Sequence, residues 1–182
     1  IAWKDSQGNS PPPFTIVTHA DVLAQKYVPR FPVGIWEGKR ITSLQWALNY
    51  TKALEDKGRN PLCLWPVHCE IGTWGQCFYH PLREAFDDWT KETCQWINFV
   101  SKGSWVWTEH YSGIRADVPD PTRPETQLNT DLINSAAQAD IIAWTGWAGS
   151  HCLRWTALDA INHFGQGSND FIKKSVFFER II

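Results

Sequence analysis

The sequence predicts an α/β domain in which a parallel sheet is covered by helices on both faces. Short apolar runs of strand length alternate along the chain with longer stretches in which apolar residues recur every three or four positions. This alternation is typical of parallel sheets, because neighbouring parallel strands need a crossover helix between them. The 182 residues are enough for one such domain with a sizeable core.

Residues 1–38 are predicted to form an extended surface segment, because proline and glycine recur along them. Proline lacks a backbone N–H and clashes with the preceding helical turn, which excludes one long helix here. A short helical turn is expected over residues 18–25, where the hydroxyl of Thr18 suits an N-cap.

Two predicted helices follow, with a strand between them. The first helix covers residues 39–57 and is ended by Gly58, and the strand covers residues 61–65. The second helix starts at Pro81, a residue that suits the first helical turn. The apolar residues that share faces of the two helices are Ile41, Leu44, Leu48 and Leu54, and Leu82, Ala85, Phe86, Trp89 and Trp96.

The second half of the chain continues the alternation of strands and helices. In order, the predicted elements are a strand over 97–102, a loop over 120–124, a helix over 128–136, a buried strand over 140–144, a helix over 152–164 and a last strand over 174–179. Gly165 is expected to end the helix that starts at Cys152.

Composition excludes several function classes. The formal net charge of −2 gives no electrostatic reason to expect a nucleic acid or an anionic membrane as partner. No apolar run approaches the roughly 18 residues that a membrane span needs. The five cysteines include no CxxC pair, which argues against a zinc ribbon or a thioredoxin motif and favours a reduced, cytoplasmic protein.

Cys152 is the candidate nucleophile that the residues themselves suggest. It follows a predicted strand and a glycine-rich turn, "TGWAGSHC", and opens a predicted helix. Ligands bind outside the carboxyl ends of parallel strands, and the N–H groups of a helix N-terminus favour a thiolate and an oxyanion. The alternative is an inert buried thiol, since free cysteine is among the most buried residue types.

Four segments together resemble the isochorismatase-like cysteine hydrolases, in particular the nicotinamidases and their longer relatives. The segment around Cys152 resembles the nucleophile motif of that family. The others, in chain order, are "WKDSQGNSPPPFTIVTHADV" (3–22), "LCLWPVHCEIGTWGQ" (62–76) and "VSKGSWVWTEHYSGIRADVPDP" (100–121). The resemblance implies a Rossmann-type three-layer fold over residues 1–182, a single domain that is incomplete at its N-terminus and at its C-terminus.

The resemblance assigns roles to individual residues. It implies that Cys152 is the nucleophile and Lys102 the catalytic lysine, whose ammonium favours the thiolate. It implies that the N–H groups of Ala148 and Cys152 form the oxyanion hole, and that the Trp147–Ala148 peptide bond is cis. Trp147 and Tyr111 are the expected substrate contacts, although Trp147 stands where longer relatives often carry a smaller or acidic residue.

A metal and a further strand are also implied. His68 matches a metal-ligand histidine of nicotinamidases, so a zinc-like divalent ion is a candidate cofactor, and a hydrogen-bonded histidine without metal is the alternative. The family's catalytic aspartate lies on a first strand that the matched segments do not include. A parallel sheet without that strand would leave backbone groups unpaired. We therefore expect that the strand precedes residue 1, that a homo-oligomer or a second chain supplies it, or that the sheet is rearranged.

Three functions therefore remain open. The first is a cysteine-dependent hydrolase of a small amide that resembles nicotinamide and reacts through a thioester. The second is a catalytically inactive relative with a binding, storage or scaffold role. The third is a hydrolase of another small carbonyl compound in the same superfamily.

Overall fold

The structure is a computed structural model, and it describes residues 2–165 and 170–178. Its strands, in chain order, are β1 (Trp3–Asp5), β2 (Thr15–Val17), β3 (Tyr27–Pro29), β4 (Val33–Trp36), β5 (Lys39–Thr42), β6 (Leu62–Leu64), β7 (Ile142–Trp144) and β8 (Ser175–Phe177). Its helices are α1 (His19–Leu23), α2 (Ser43–Asp56), α3 (His80–Thr93), α4 (Thr130–Gln138), α5 (Cys152–Phe164) and α6 (Asp170–Lys173), with 3-10 turns at Trp74–Gln76 and Pro124–Thr126.

The strands pair two by two instead of forming one sheet. β1 pairs with β3, β2 with β6 and β4 with β5, all antiparallel, and β7 pairs with β8 in parallel. The predicted parallel sheet with helices on both faces, the Rossmann-type three-layer arrangement, is therefore wrong. The described residues hold small antiparallel sheets and one separate parallel pair.

The predicted sheet does not form because β6 and β7 do not pair with each other or with residues 97–102. The run 97–102, predicted as a strand, has no regular secondary structure, and Phe99 in it is 62 % exposed. The backbone of β6 instead pairs with β2, where Ile16 lies opposite Cys63. Because a β-prone run is stable as a strand only beside a partner and a packed face, the alternation of patterns does not by itself build a sheet.

The N-terminal segment packs into the core. Residues 1–38 were expected to be extended surface chain, but they carry four short strands, and Trp3, Val17 and Val22 are buried. The N-cap of α1 is confirmed: Thr18 Oγ1 accepts a hydrogen bond from the Asp21 N–H at 3.1 Å, and the Asp21 carboxylate accepts one from the Thr18 N–H at the same distance.

The predicted helices are confirmed, with shifted boundaries. α2 begins at Ser43 and not at residue 39, because residues 39–42 form β5 and pair with β4 in a hairpin. α3 starts beside Pro81, as predicted, and ends before Trp96. α5 runs from Cys152 to Phe164, and Gly165, the predicted stop, is its C-cap. The strand at β7 was predicted to be buried, yet Ala143 in it is exposed.

Two hydrophobic clusters support the fold. The larger surrounds α2 and contains Trp46, whose ring stacks on that of Tyr50 with centroids 5.2 Å apart. The smaller joins the 114 region to α4, α5 and α6 through Ile114, Ile133, Ala160 and Phe171. By contrast, α3 buries none of its residues. None of the described helices combines the length and the apolar character needed to cross a membrane.

A buried cluster of charges connects the two halves of the chain. Arg59, just after α2, donates from Nη2 to both carboxylate oxygens of Asp159 on α5, each at 2.8 Å. Its Nε lies 3.7 Å from Asp117 Oδ1, and its guanidinium lies 4.3 Å from the ring centroid of Trp155. Arg115 donates to Asp159 at 3.1 Å from the more exposed side.

Removing the Asp159 carboxylate should strongly destabilise the protein. We expect Asp159→Asn to lower the free energy of unfolding by about 3–5 kcal/mol, because it leaves the buried Arg59 without its main counter-charge. Urea denaturation followed by far-UV circular dichroism measures the change. The control is Asp88→Asn, which removes a solvent-exposed ion pair with Lys91 and should cost less than about 1 kcal/mol. Equal effects of the two substitutions would contradict the importance of the buried cluster.

Candidate functional site

Cys152 lies where a tight turn leads into α5. The turn starts at Gly146, whose φ of +141° lies in a region that side chains rarely adopt, and it contains a cis peptide bond between Trp147 and Ala148. That is the bond for which the family resemblance implies the cis form. The carbonyl of Ala148 accepts the N–H groups of His151 at 3.1 Å and Leu153 at 3.2 Å, and the chain is thereby folded back onto the start of the helix.

The side chain of Lys102 reaches the sulfur of Cys152. The Lys102 Nζ lies 3.7 Å from the Cys152 Sγ and also donates to the carbonyl oxygen of His110 at 3.0 Å. Lys102 is 50 residues away in sequence, so the fold brings together the two residues that the resemblance assigned to catalysis. An ammonium at this distance attracts negative charge on the sulfur.

The N-terminus of α5 supplies hydrogen-bond donors next to the sulfur. Cys152 is the first residue of the helix, so its own N–H has no acceptor within the helix. The resemblance implies that this N–H and the N–H of Ala148 form an oxyanion hole, and the helix dipole adds positive potential at the start of α5. The carbonyl of Cys152 accepts the Thr156 hydroxyl at 2.7 Å, and this hydroxyl in turn accepts the Gly113 N–H at 2.9 Å, which fixes α5 against the 111–114 loop.

Aromatic rings form one side of the site. The indole of Trp65, at the end of β6, donates to the Tyr111 hydroxyl at 2.9 Å. The ring of His151 packs edge-on against Trp65 and Tyr111, with centroids 5.3 Å and 5.2 Å apart. Tyr111 is only 6 % exposed, so it supports the other side chains of the site from below the surface. Trp147, beside the turn, is 76 % exposed. The two predicted substrate contacts therefore differ strongly in accessibility.

His68 is the candidate metal ligand that the resemblance implies. Its Nδ1 lies 2.6 Å from the carbonyl oxygen of Pro66, and its ring packs against Trp65. Across residues 2–165 and 170–178, no three or more His, Cys, Asp or Glu side chains are grouped so that they could hold a metal ion. The described residues thus offer no ligand set to complete the zinc-like site, and we derive no chemical step through a metal.

Two acidic side chains of low exposure, Glu109 and Asp117, interact with the charge of Lys102. Burial, and secondarily the charge of Asp117, raises the pKa of Glu109 from 4.5 to about 7, although the charge of Lys102 opposes the rise. Burial raises the pKa of Asp117 to about 6 against the hydrogen bond from the Tyr111 N–H and the charge of Arg59. Burial also lowers the pKa of His110 to about 4, so this imidazole is neutral at pH 7.

Sequence reasoning missed several residues that build the site. Trp65, His110 and His151 were not singled out, and neither was the cluster of Arg59, Asp117 and Asp159. The sequence could have identified Asp159 as a buried residue. It follows Cys152 by seven positions and Trp155 by four, so it lies on the same face of the helix as the buried Trp155. A carboxylate on a buried face needs a counter-charge.

Comparisons with known proteins give no match. No protein-family model, curated protein or solved structure matches this chain.

The contact between Lys102 and Cys152 predicts the reactivity of the thiol. We expect Lys102→Ala to slow alkylation of Cys152 by iodoacetamide at pH 7 about fivefold, the effect of losing a charge roughly 4 Å away in a water-like dielectric. Peptide mapping by mass spectrometry measures the rate at each cysteine. Lys91→Ala is the matched control, and the exposed Cys94 is the internal reference. An unchanged Cys152 rate in Lys102→Ala would refute the electrostatic coupling.

The raised pKa of Glu109 predicts how stability depends on pH. Because the folded state raises this pKa from 4.5 to about 7, it binds a proton that the unfolded state releases in this range. This contribution to stability is complete below pH 4.5 and is lost as the pH rises through 7. Glu109→Gln should therefore be more stable than the parent protein at pH 8, by about 3 kcal/mol, and nearly equal to it at pH 4.5.

Denaturant midpoints at the two pH values measure this difference. The control is Glu92→Gln, because Glu92 is exposed on α3 and should leave the pH dependence unchanged. A Glu109→Gln curve that parallels the parent curve from pH 4.5 to 8 would show that Glu109 is not held in its neutral form.

Proposed function

We propose that this protein is a cysteine-dependent hydrolase that cleaves a small amide through a thioester on Cys152. The observation that carries the proposal is the 3.7 Å contact between the Lys102 ammonium and the Cys152 sulfur at the N-terminus of α5. The resemblance of the segments around Lys102 and Cys152 to the isochorismatase-like cysteine hydrolases supports the same assignment. The pairing of a thiol with a nearby cation is how enzymes activate cysteine nucleophiles.

In the proposed reaction, the Cys152 thiolate attacks the carbonyl carbon and a C–S bond forms. The N–H groups of Ala148 and Cys152 stabilise the oxyanion. The C–N bond then breaks, and the leaving nitrogen takes a proton from the Lys102 ammonium and departs as ammonia. Water loses a proton to Lys102 and attacks the thioester, which releases a carboxylic acid and restores the thiolate and the ammonium.

The aromatic side chains beside Cys152 favour a small, flat substrate. Trp65, Tyr111 and His151 form an aromatic side next to Cys152, and such rings pack well against another ring. The exposed indole of Trp147 is the remaining candidate contact and is free to cover a substrate from the solvent side. A nicotinamide-like amide fits this description, and a different small carbonyl compound is the alternative substrate class.

The proposal also covers the cellular location of the protein and its partners. A cytoplasmic location is proposed from the cysteine pattern, since the thiol must stay reduced to act. A homo-oligomer, or a complex with a second chain, remains the proposed assembly. The exposed apolar side chains of Val67, Ile71, Trp74 and Trp96 support a covering partner over this part of the surface.

Replacing the sulfur tests the proposed function. We expect Cys152→Ala to lower the rate of ammonia release from nicotinamide at least about a thousandfold, because no other group replaces the nucleophile. A coupled ammonia assay measures turnover, and Cys94→Ala is the matched control, since Cys94 lies exposed at the end of α3. Circular dichroism of each variant verifies that it is folded.

The possible outcomes separate the candidate functions. Full activity in Cys152→Ala would overturn the cysteine mechanism. A parent protein that alkylates at Cys152 in a Lys102-dependent way but hydrolyses neither nicotinamide nor small esters would instead support the catalytically inactive relative. Turnover of esters without turnover of nicotinamide would support the second substrate class.

A further inference from the structure

A cavity lies away from Cys152, between the β4–β5 hairpin and the 105–120 region. It has a volume of about 160 Å³. Because a water molecule occupies about 30 Å³ of the liquid, the space corresponds to about five waters, or to a ligand of similar heavy-atom count. The indoles of Trp36, Trp105 and Trp107 line it. Such a concentration of indoles in so small a cavity is a feature that the proposed hydrolase chemistry does not use.

The hairpin holds this cavity in a fixed shape. Glu37 and Gly38 form the two-residue turn between β4 and β5, and both have positive φ, +48° and +75°, as type I′ turns require. A Cβ on Gly38 would come within 2.8 Å of the Thr122 methyl group, so the hairpin tip packs directly on Thr122. Trp107 is held from behind by the rings of Phe31 and Trp46, at 5.3 Å and 5.5 Å.

Carboxylates outnumber cations among the side chains that line the cavity, and the Arg123 guanidinium lies outside this lining, against Trp105. Two carboxylates line the cavity, those of Glu37 and Asp120, against the single ammonium of Lys57. Asp120 is 7 % exposed, and its Oδ1 accepts hydrogen bonds from the Thr122 N–H at 2.9 Å and the Thr122 hydroxyl at 2.7 Å. These bonds fix the orientation of the carboxylate at the wall of the cavity.

One of the indoles already contacts a cation. The guanidinium of Arg123 lies 3.6 Å from the ring centroid of Trp105. Aromatic rings attract cations through the negative potential of their faces, and cages of several aromatic rings recognise quaternary ammonium groups. Carboxylates beside such rings add a direct attraction for the same charge.

We propose that this cavity binds a small organic cation of the quaternary or methylated ammonium class. The indoles of Trp36, Trp105 and Trp107 surround the alkylated nitrogen, and the carboxylates of Glu37 and Asp120 supply the counter-charge. The site is independent of the proposed hydrolase, because it shares no lining residue with the environment of Cys152.

Choline chloride is the probe, and 3,3-dimethylbutan-1-ol is its neutral counterpart of the same shape. We expect isothermal titration calorimetry to give a dissociation constant on the order of 1 mM for choline. The neutral alcohol should bind at least about fivefold more weakly, because it lacks the charge. Cys152→Ala should bind choline as the parent protein does, which separates this proposal from the proposed function.

Charge substitutions at the rim of the cavity test whether its charged side chains act on the positive charge of choline. Glu37→Gln should weaken choline binding about threefold to tenfold, and Lys57→Gln should strengthen it, because Lys57 repels a cation. Both residues are exposed, so neither substitution endangers the fold. Lys39→Gln is the matched control, on the same hairpin but outside the cavity lining, and should leave the affinity unchanged.

Three results would overturn the proposal. The first is no heat of binding at 50-fold above the expected dissociation constant, on the order of 50 mM choline. The second is equal affinity for choline and for the neutral alcohol. The third is a reversal of the charge effects, with weaker choline binding in Lys57→Gln and unchanged choline binding in Glu37→Gln, because Glu37 would then not supply the counter-charge.

Discussion

The burial of Arg59 is the constraint on which the rest of the structure depends. Its guanidinium, on the chain that leaves α2, contacts Asp159 of α5 and approaches Asp117 of the connecting loop. A buried cation without these carboxylates would be very costly, so the three segments must come together when the chain folds. The small sheets alone would not join them, because none of the strand pairs links α2 to α5.

That constraint also explains how the candidate site is built without a central sheet. Asp117, close to Arg59, accepts the Tyr111 N–H at 3.0 Å and thereby fixes the loop that contains His110. The carbonyl of His110 then holds the Lys102 ammonium, while Asp159 anchors the helix that begins with Cys152. Cys152 and Lys102 are thus positioned by the same buried charges. Glu109 and Asp117 have raised pKa values because this construction places several acids together away from water.

Local patterns in the sequence predicted local structure well and long-range pairing poorly. The helices at α2, α3, α4 and α5 follow from apolar spacing and from residues such as Pro81 and Gly165, which act within one or two turns. The sheet was predicted wrongly, because strand partners are chosen over the whole chain and residues 97–102 find none in the described structure. The resemblance to the isochorismatase-like hydrolases predicted that Lys102 lies close to Cys152. The spacing of the two residues in the sequence gives no reason to expect this contact.

The helix α3 has a consequence for the local dynamics of the molecule. It buries none of its residues, and its side chains interact mainly along the helix itself, as in the ion pair between Arg83 and Asp87. Such pairs contribute only a few tenths of a kcal/mol each, so the helix gains little from tertiary packing. Its amide hydrogens should exchange with solvent through local opening at a small fraction of the global unfolding free energy, while α5 exchanges only when the Arg59 cluster separates.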